Sequence, residues 1–239
     1  MSLADDCRAF LHQNANSPTR KGQDASKTRP HYGTPQPELR AFIKSWSQTN
    51  PLSYDDWITA LEDLFAGKWL EEKLFAGIIL EQYPKYRKQL SLAQLDVWLG
   101  RLEGWQEVDN TCQSTFGAKE MLARWDEWDT FLRGLSTDDN IHKRRASIVL
   151  LLVALRESDD DRFWSLAVTN INQIRHEKDK LISKAVSWVL RTTIKYHRDA
   201  VVRYITDNQA DLPAFVVREV ENKLQTGKKS GHQDEESDE

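Results

Sequence analysis

Apolar residues recur at three- and four-residue spacing along almost the whole chain, and no segment sustains the alternation of a half-buried strand. That periodicity restricts the chain to helices. Ten glycines and seven prolines in 239 residues are too few turn formers for an all-β protein of this length. The expected fold class is therefore all-α.

The segments follow one another with brief breaks. Helices are expected over residues 3–14, 37–48, 53–66, 69–83, 92–102, 105–115, 118–132, 140–156, 160–174, 180–196, 199–208 and 213–224. Ser53 followed by Asp55 and Asp56 reads as an N-cap, with Trp57, Leu61, Leu64 and Phe65 on one face. The run 148–155 is the most buried pattern and is far shorter than a membrane span. Asp159, Asp160 and Asp161 complement a helix dipole, and Pro213 suits a first helical position. Helices of this length joined by short turns suggest antiparallel pairs, stacked as a HEAT-like helical-repeat solenoid with a concave face. An irregular helical bundle is the alternative reading of the same pattern.

Composition shifts mark the ends. Residues 1–30 read as a helix and a polar linker containing Ser17-Pro18, Lys21-Gly22 and Arg29-Pro30. Residues 31–226 read as one domain, and 227–239 as a disordered tail. Residues 231–239 hold five acids (Asp234, Glu235, Glu236, Asp238, Glu239) and no Lys or Arg, so the formal charge of −4 belongs to the tail and the remainder is close to neutral. A near-neutral domain can still bind nucleic acid through one basic face. Cys7 and Cys112 form no CxxC or metal-like spacing and read as reduced thiols, which with no evident targeting segment points to the cytoplasm.

Most catalytic signatures are missing: there is no P-loop, GxGxxG, HExxH or GxSxG. The histidines at 12, 31, 142, 176, 197 and 232 are scattered without metal-ligand spacing. No metal and no cofactor is expected. One segment stands out, Gly104-Trp105-Gln106-Glu107-Val108-Asp109. Trp105 and Asp109 are four apart and share a helix face. One aromatic plane and one carboxylate suit a cation, near an exposed helix N-terminus. The alternative is a core Trp105 beside a surface Asp109 in a salt bridge. Two further segments carry basic residues near apolar ones. Lys184–Arg191 places Trp188 amid Val186, Val189 and Leu190, with Arg191 one turn on, and Lys143-Arg144-Arg145 precedes the buried run. Trp188 on its own is more often a core residue, and Lys143-Arg144-Arg145 could contact phosphate or simply start a solvated helix.

Taken in order, these segments resemble the AlkD-like DNA alkylation repair glycosylases. Tyr32-Gly33-Thr34-Pro35-Gln36-Pro37-Glu38-Leu39-Arg40 is similar to the start of that family's repeat domain. Trp105–Asp109 is similar to its active-site helix, Arg144-Arg145-Ala146-Ser147-Ile148 to its Arg-Arg-x-x-Ile helix, and Lys184–Arg191 to its Lys-Ala-x-x-Trp-x-Leu-Arg helix. The resemblance spans roughly residues 31–225 and departs at Thr192-Thr193, where a charged residue would follow Leu-Arg.

The resemblance implies an enzyme that hydrolyses the N-glycosidic bond of cationic N-alkylated purines, 3-methyladenine and 7-methylguanine, in duplex DNA. It implies Asp109, Trp105 and Trp188 as the residues around the damaged nucleotide. Arg145, Arg144 and Arg191 become DNA contacts, with a register uncertainty of one position between the first two. A monomer with no membrane partner is expected. Two other classes compete: a non-catalytic helical-repeat protein that binds distorted or branched DNA, and a protein–protein scaffold.

Overall fold

The computed structural model describes residues 2–15 and 29–230. Among these, fourteen helices and no strand occur: α1 (Leu3–Gln13), α2 (Gln36–Thr49), α3 (Tyr54–Ala66), α4 (Leu70–Gln82), α5 (Pro84–Arg87), α6 (Leu92–Leu99), α7 (Gly104–Cys112), α8 (Ala118–Ala123), α9 (Trp125–Ser136), α10 (Ile141–Val149), α11 (Leu152–Glu157), α12 (Asp161–Ile174), α13 (Lys180–Asn208) and α14 (Ala214–Thr226). This is the expected all-α, helical-repeat class. The helices form two compact units, Met1–Phe116 and Gly117–Glu239. Most of the expected linker and acidic tail falls outside the described residues.

In the first unit α4 is the central helix, with α1, α2, α3 and α7 packed around it. Every residue from Leu70 to Leu80 is buried, so its charged first turn must find partners inside. Glu71 accepts from the backbone N–H groups of Tyr32 (3.0 Å) and Gly33 (2.8 Å). Glu72 accepts from Arg8 Nε (2.7 Å) on α1 and from the Trp69 N–H (2.9 Å), which caps α4. Lys73 Nζ donates to the Phe65 carbonyl near the end of α3. A buried charge left unpaired is strongly destabilising, so these bonds are conditions of the fold. Trp57, Phe65, Phe75 and Trp98 fill the apolar interior, with Phe65 stacked on Trp98 at 5.0 Å. Ser53 caps α3 as expected, accepting from the Asp56 N–H at 3.1 Å. The first helix is part of this unit: Leu3, Ala4, Cys7 and Leu11 are buried.

The second unit is built on α10 and α13, with α9, α12 and α14 against them. Here the helix boundaries depart from the sequence reading. The expected helix 118–132 is two helices, because Arg124 leaves helical geometry (φ −137°, ψ 45°), bonds its N–H to Met121 O and holds Glu127 with its guanidinium. The expected helix 140–156 also divides. Residues 148–152 are all fully buried, which one stripe of a straight helix cannot achieve. A tightened turn at Leu151, whose N–H bonds to Ile148 O at 3.2 Å, re-aims the chain into α11. The break expected between 196 and 199 is a kink at His197 (φ −124°, ψ 41°) within α13. Pro213 caps α14 from just outside rather than opening its first turn. The short α5 had no sequence signal beyond Pro84, and α7 stops at Cys112.

Candidate active site

In the first unit the sequence points to α7. Its burial pattern is the reverse of a core Trp105 beside a surface Asp109. Trp105 is 45% exposed, whereas Asp109, one turn on, is 8% exposed. Residues 107–112 are all buried. The helix therefore projects an indole into solvent from its first turn and carries a carboxylate at the edge of the protein interior. The expectation that both lie at an exposed helix end holds for Trp105 alone. Asp109 is drawn inward because its neighbours Val108 and Cys112 pack fully and Asn110 is tied to α4 and α2. The Asn110 amide donates to Leu74 O (2.8 Å) and accepts from Gln36 Nε2 (2.7 Å). A carboxylate in that setting interacts with a nearby cation more strongly than one in bulk water.

The start of α7 is held by two side chains that the sequence reading passed over. Glu103 offers no side-chain cap, and Gly104 takes φ 72°, a conformation that glycine adopts without penalty. Buried Glu107 takes the capping role. Its carboxylate accepts from the Glu103 N–H (2.8 Å) and from Arg29 Nε (2.8 Å). Arg29 also donates to Arg101 O (2.9 Å) and pairs with the Glu103 carboxylate (3.0 Å). Burial pushes the Glu107 carboxyl above the usual carboxylate range, against the pull of these bonds and of Lys73. Burial, together with Arg29 nearby, lowers Lys73 to about 8.

In the second unit, Arg145 is buried on α10 and donates to Leu181 O in the first turn of α13. Two helical turns further along α13, Trp188 is half-buried. Lys184 is exposed one turn before it, and Arg191 lies one turn after it on the same side. Arg145, Trp188 and Arg191 thus belong to one packed pair of helices. Arg191 Nε donates to Ser187 Oγ (3.2 Å), and Ser187 donates to Glu219 on α14 (2.5 Å). Glu219 also pairs with Lys229 at 3.2 Å. Arg144 is committed elsewhere: its guanidinium holds both Glu177 oxygens (2.8 and 2.9 Å) and donates to the carbonyls of Asp138 (2.7 Å) and Asp139 (2.9 Å). Adjacent arginines on a helix point about 100° apart, so one can serve the fold while the other faces α13.

Among the described residues no group of three or more His, Cys, Asp or Glu side chains could hold a metal ion, and no helix is long and apolar enough to cross a membrane. Cys7 and Cys112 are buried thiols, and burial raises Cys7.

The fold has a solved counterpart. A chain described as "Predicted DNA alkylation repair enzyme from Enterococcus faecalis" superposes with a TM-score of 0.66 over 93% of this chain and 95% of its own, at 20% sequence identity. That likeness establishes the fold. No curated protein matches the sequence. The family described as DNA alkylation repair enzyme matches residues 7–224, from within α1 almost to the end of α14 and so well beyond the segments that first carried the resemblance. The chain belongs to the DNA alkylation repair enzyme family.

Proposed function

We propose that this protein is a monofunctional DNA glycosylase that releases cationic N-alkylated purines from duplex DNA. The observation that carries the reading is α7, where an exposed indole stands one turn from an inward-held carboxylate. A purine alkylated at N3 or N7 already bears positive charge. Breaking its C1′–N9 bond returns the electron pair to the purine ring and neutralises it, so no acid is needed to help it leave. The charge passes to the sugar as an oxocarbenium-like species. Asp109 is the group suited to stabilise that charge, and pre-organised electrostatics of this kind is usually the largest catalytic contribution. Water then bonds to C1′, and Asp109 can orient it and accept its proton. The products are the free base and an abasic site.

Trp105 contributes a ring face to the cationic nucleotide. Its exposure supports this role, because a core indole could not serve it. Trp188, in the second unit, is assigned a ring-face contact to the DNA, which its partial exposure permits, and Arg191 a contact to the DNA backbone, whereas buried Arg145 acts through its bond to Leu181 O by holding α10 on α13.

The test is release of 7-methylguanine from methylated duplex DNA. Wild type should release the base and Asp109→Asn should not, with circular dichroism unchanged. Equal release by both would remove Asp109 from the chemistry. A mobility shift on duplex DNA with no release by wild type would mark a non-catalytic DNA-binding protein instead.

A further inference from the structure

Trp105 is only partly packed, with nearly half of its surface in water, so packing alone does not aim the ring. The direction of an exposed indole on the first turn of a helix is set by the backbone beneath it. Here that backbone is tied at several points. Glu107, two residues from both Trp105 and Asp109, binds the Glu103 N–H, and Arg29 binds the Arg101 carbonyl, the Glu103 carboxylate and the Glu107 carboxylate. Between the tied residues and Trp105 sits Gly104 at positive φ, the place where an unheld chain would swing most easily.

Capping alone does not account for this arrangement. An exposed Ser or Asp caps a helix without desolvating a charge, and α3 in the same unit is capped that way by Ser53. Glu107 is 2% exposed and the Arg29 side chain 17%, which is a costly way to close a helix. What the buried pair adds is a single fixed geometry for the turn from Arg101 to Glu107. Solvated caps on long side chains do not provide that.

We infer that Arg29 and Glu107 are positioning residues: they fix the first turn of α7 so that the Trp105 ring and the Asp109 carboxylate keep the geometry the reaction needs. Neither touches the substrate. The inference rests on the glycosylase reading above. A displacement of about 1 Å at a reacting group can cost on the order of a hundredfold in rate, so loss of the clamp should show in the chemical step before it shows in binding.

The experiment uses the full chain labelled with 5-fluorotryptophan, as wild type, Arg29→Met, Arg29→Lys and Glu107→Gln. The Trp105 resonance is identified by its loss in Trp105→Phe. Three results are expected. Single-turnover release of 7-methylguanine falls at least about tenfold in Arg29→Met and Glu107→Gln, while affinity for undamaged duplex stays within about twofold. The Trp105 fluorine signal shifts or broadens, and the other eight tryptophan signals hold. Arg29→Lys, which keeps the charge but not the forked donors, recovers part of the rate. A Trp105 signal that does not move in Arg29→Met overturns the inference, as does an unchanged release rate. If Glu107→Gln fails to fold, the two Arg29 variants decide. If wild type releases no base, the glycosylase reading fails, and the fluorine spectra alone then show whether the pair sets Trp105.

Discussion

Gly77 should not accept even a methyl group, and the reason lies in how α4 approaches α7. A Cβ at Gly77 would fall inside the contact distance of Asn110 Nδ2, 2.9 Å from the Asn110 carbonyl oxygen and 3.1 Å from its carbon. The Asn110 amide cannot swing aside cheaply, since it donates to Leu74 O and accepts from Gln36. Nor can the backbone of α7 move alone, because Val108 and Cys112 are fully packed. Overpacking of this kind costs about 1–3 kcal/mol. Losing the bond to Leu74 adds about 1 kcal/mol, and the better helix propensity of alanine returns about 1 kcal/mol. Gly77→Ala should therefore lose about 1–3 kcal/mol, read as a lower urea midpoint at unchanged m-value. Because Asp109 precedes Asn110, base release should fall as well in protein that remains folded. The double variant Gly77→Ala/Asn110→Ala removes the side-chain part of the clash and should show favourable coupling of about 1 kcal/mol. A Gly77→Ala protein as stable as wild type, or a cycle with no coupling, would show that the two helices yield and that the close approach is not what requires glycine.

Trp105→Ala should change stability by less than about 1 kcal/mol, because the ring is half in water, yet sharply reduce release of 7-methylguanine; a large loss of stability would place the ring in the core after all. Arg144→Ala should cost about 2 kcal/mol by abandoning Glu177 and leave the salt dependence of DNA binding unchanged. A fall of about one in the salt slope with stability intact would instead make Arg144 a phosphate contact. Lys73 has its folded pKa lowered from 10.5 to about 8, so between those values the unfolded chain binds more protons and stability rises with pH, by up to about 3 kcal/mol. Urea melts at pH 7.5 and 9.5 should show about 2 kcal/mol of that rise in wild type and a flatter response in Lys73→Met; parallel responses would refute the shift.

Much of this was legible in the residue pattern because the signals are local. The helical period, the Ser53 cap and the break near 197 depend on residues within one or two turns of each other. So did the choice of Trp105 with Asp109, whose spacing places them on one face whatever surrounds them. The misjudged boundaries share a cause: the run after Ile148 and the stripe from Met121 through Trp128 look continuous in sequence. What divides them is the demand of the core, which in the first case must bury five consecutive residues.

The burial of Asp109 and the clamp on α7 were not legible, and the reason is distance along the chain. Arg29 and Glu107 are 78 residues apart, and neither stands in a recognisable pattern. In sequence, Arg29-Pro30 reads as the end of a linker and Glu107 as an ordinary acidic residue in the first turn of a helix. The packing of the first unit takes Glu107 out of water, and that burial turns an optional ion pair into a structural requirement. The same packing draws Asp109 inward while leaving Trp105 outside. The chemistry proposed for α7 therefore depends on a property no motif encodes: the depth at which each residue of one short helix sits.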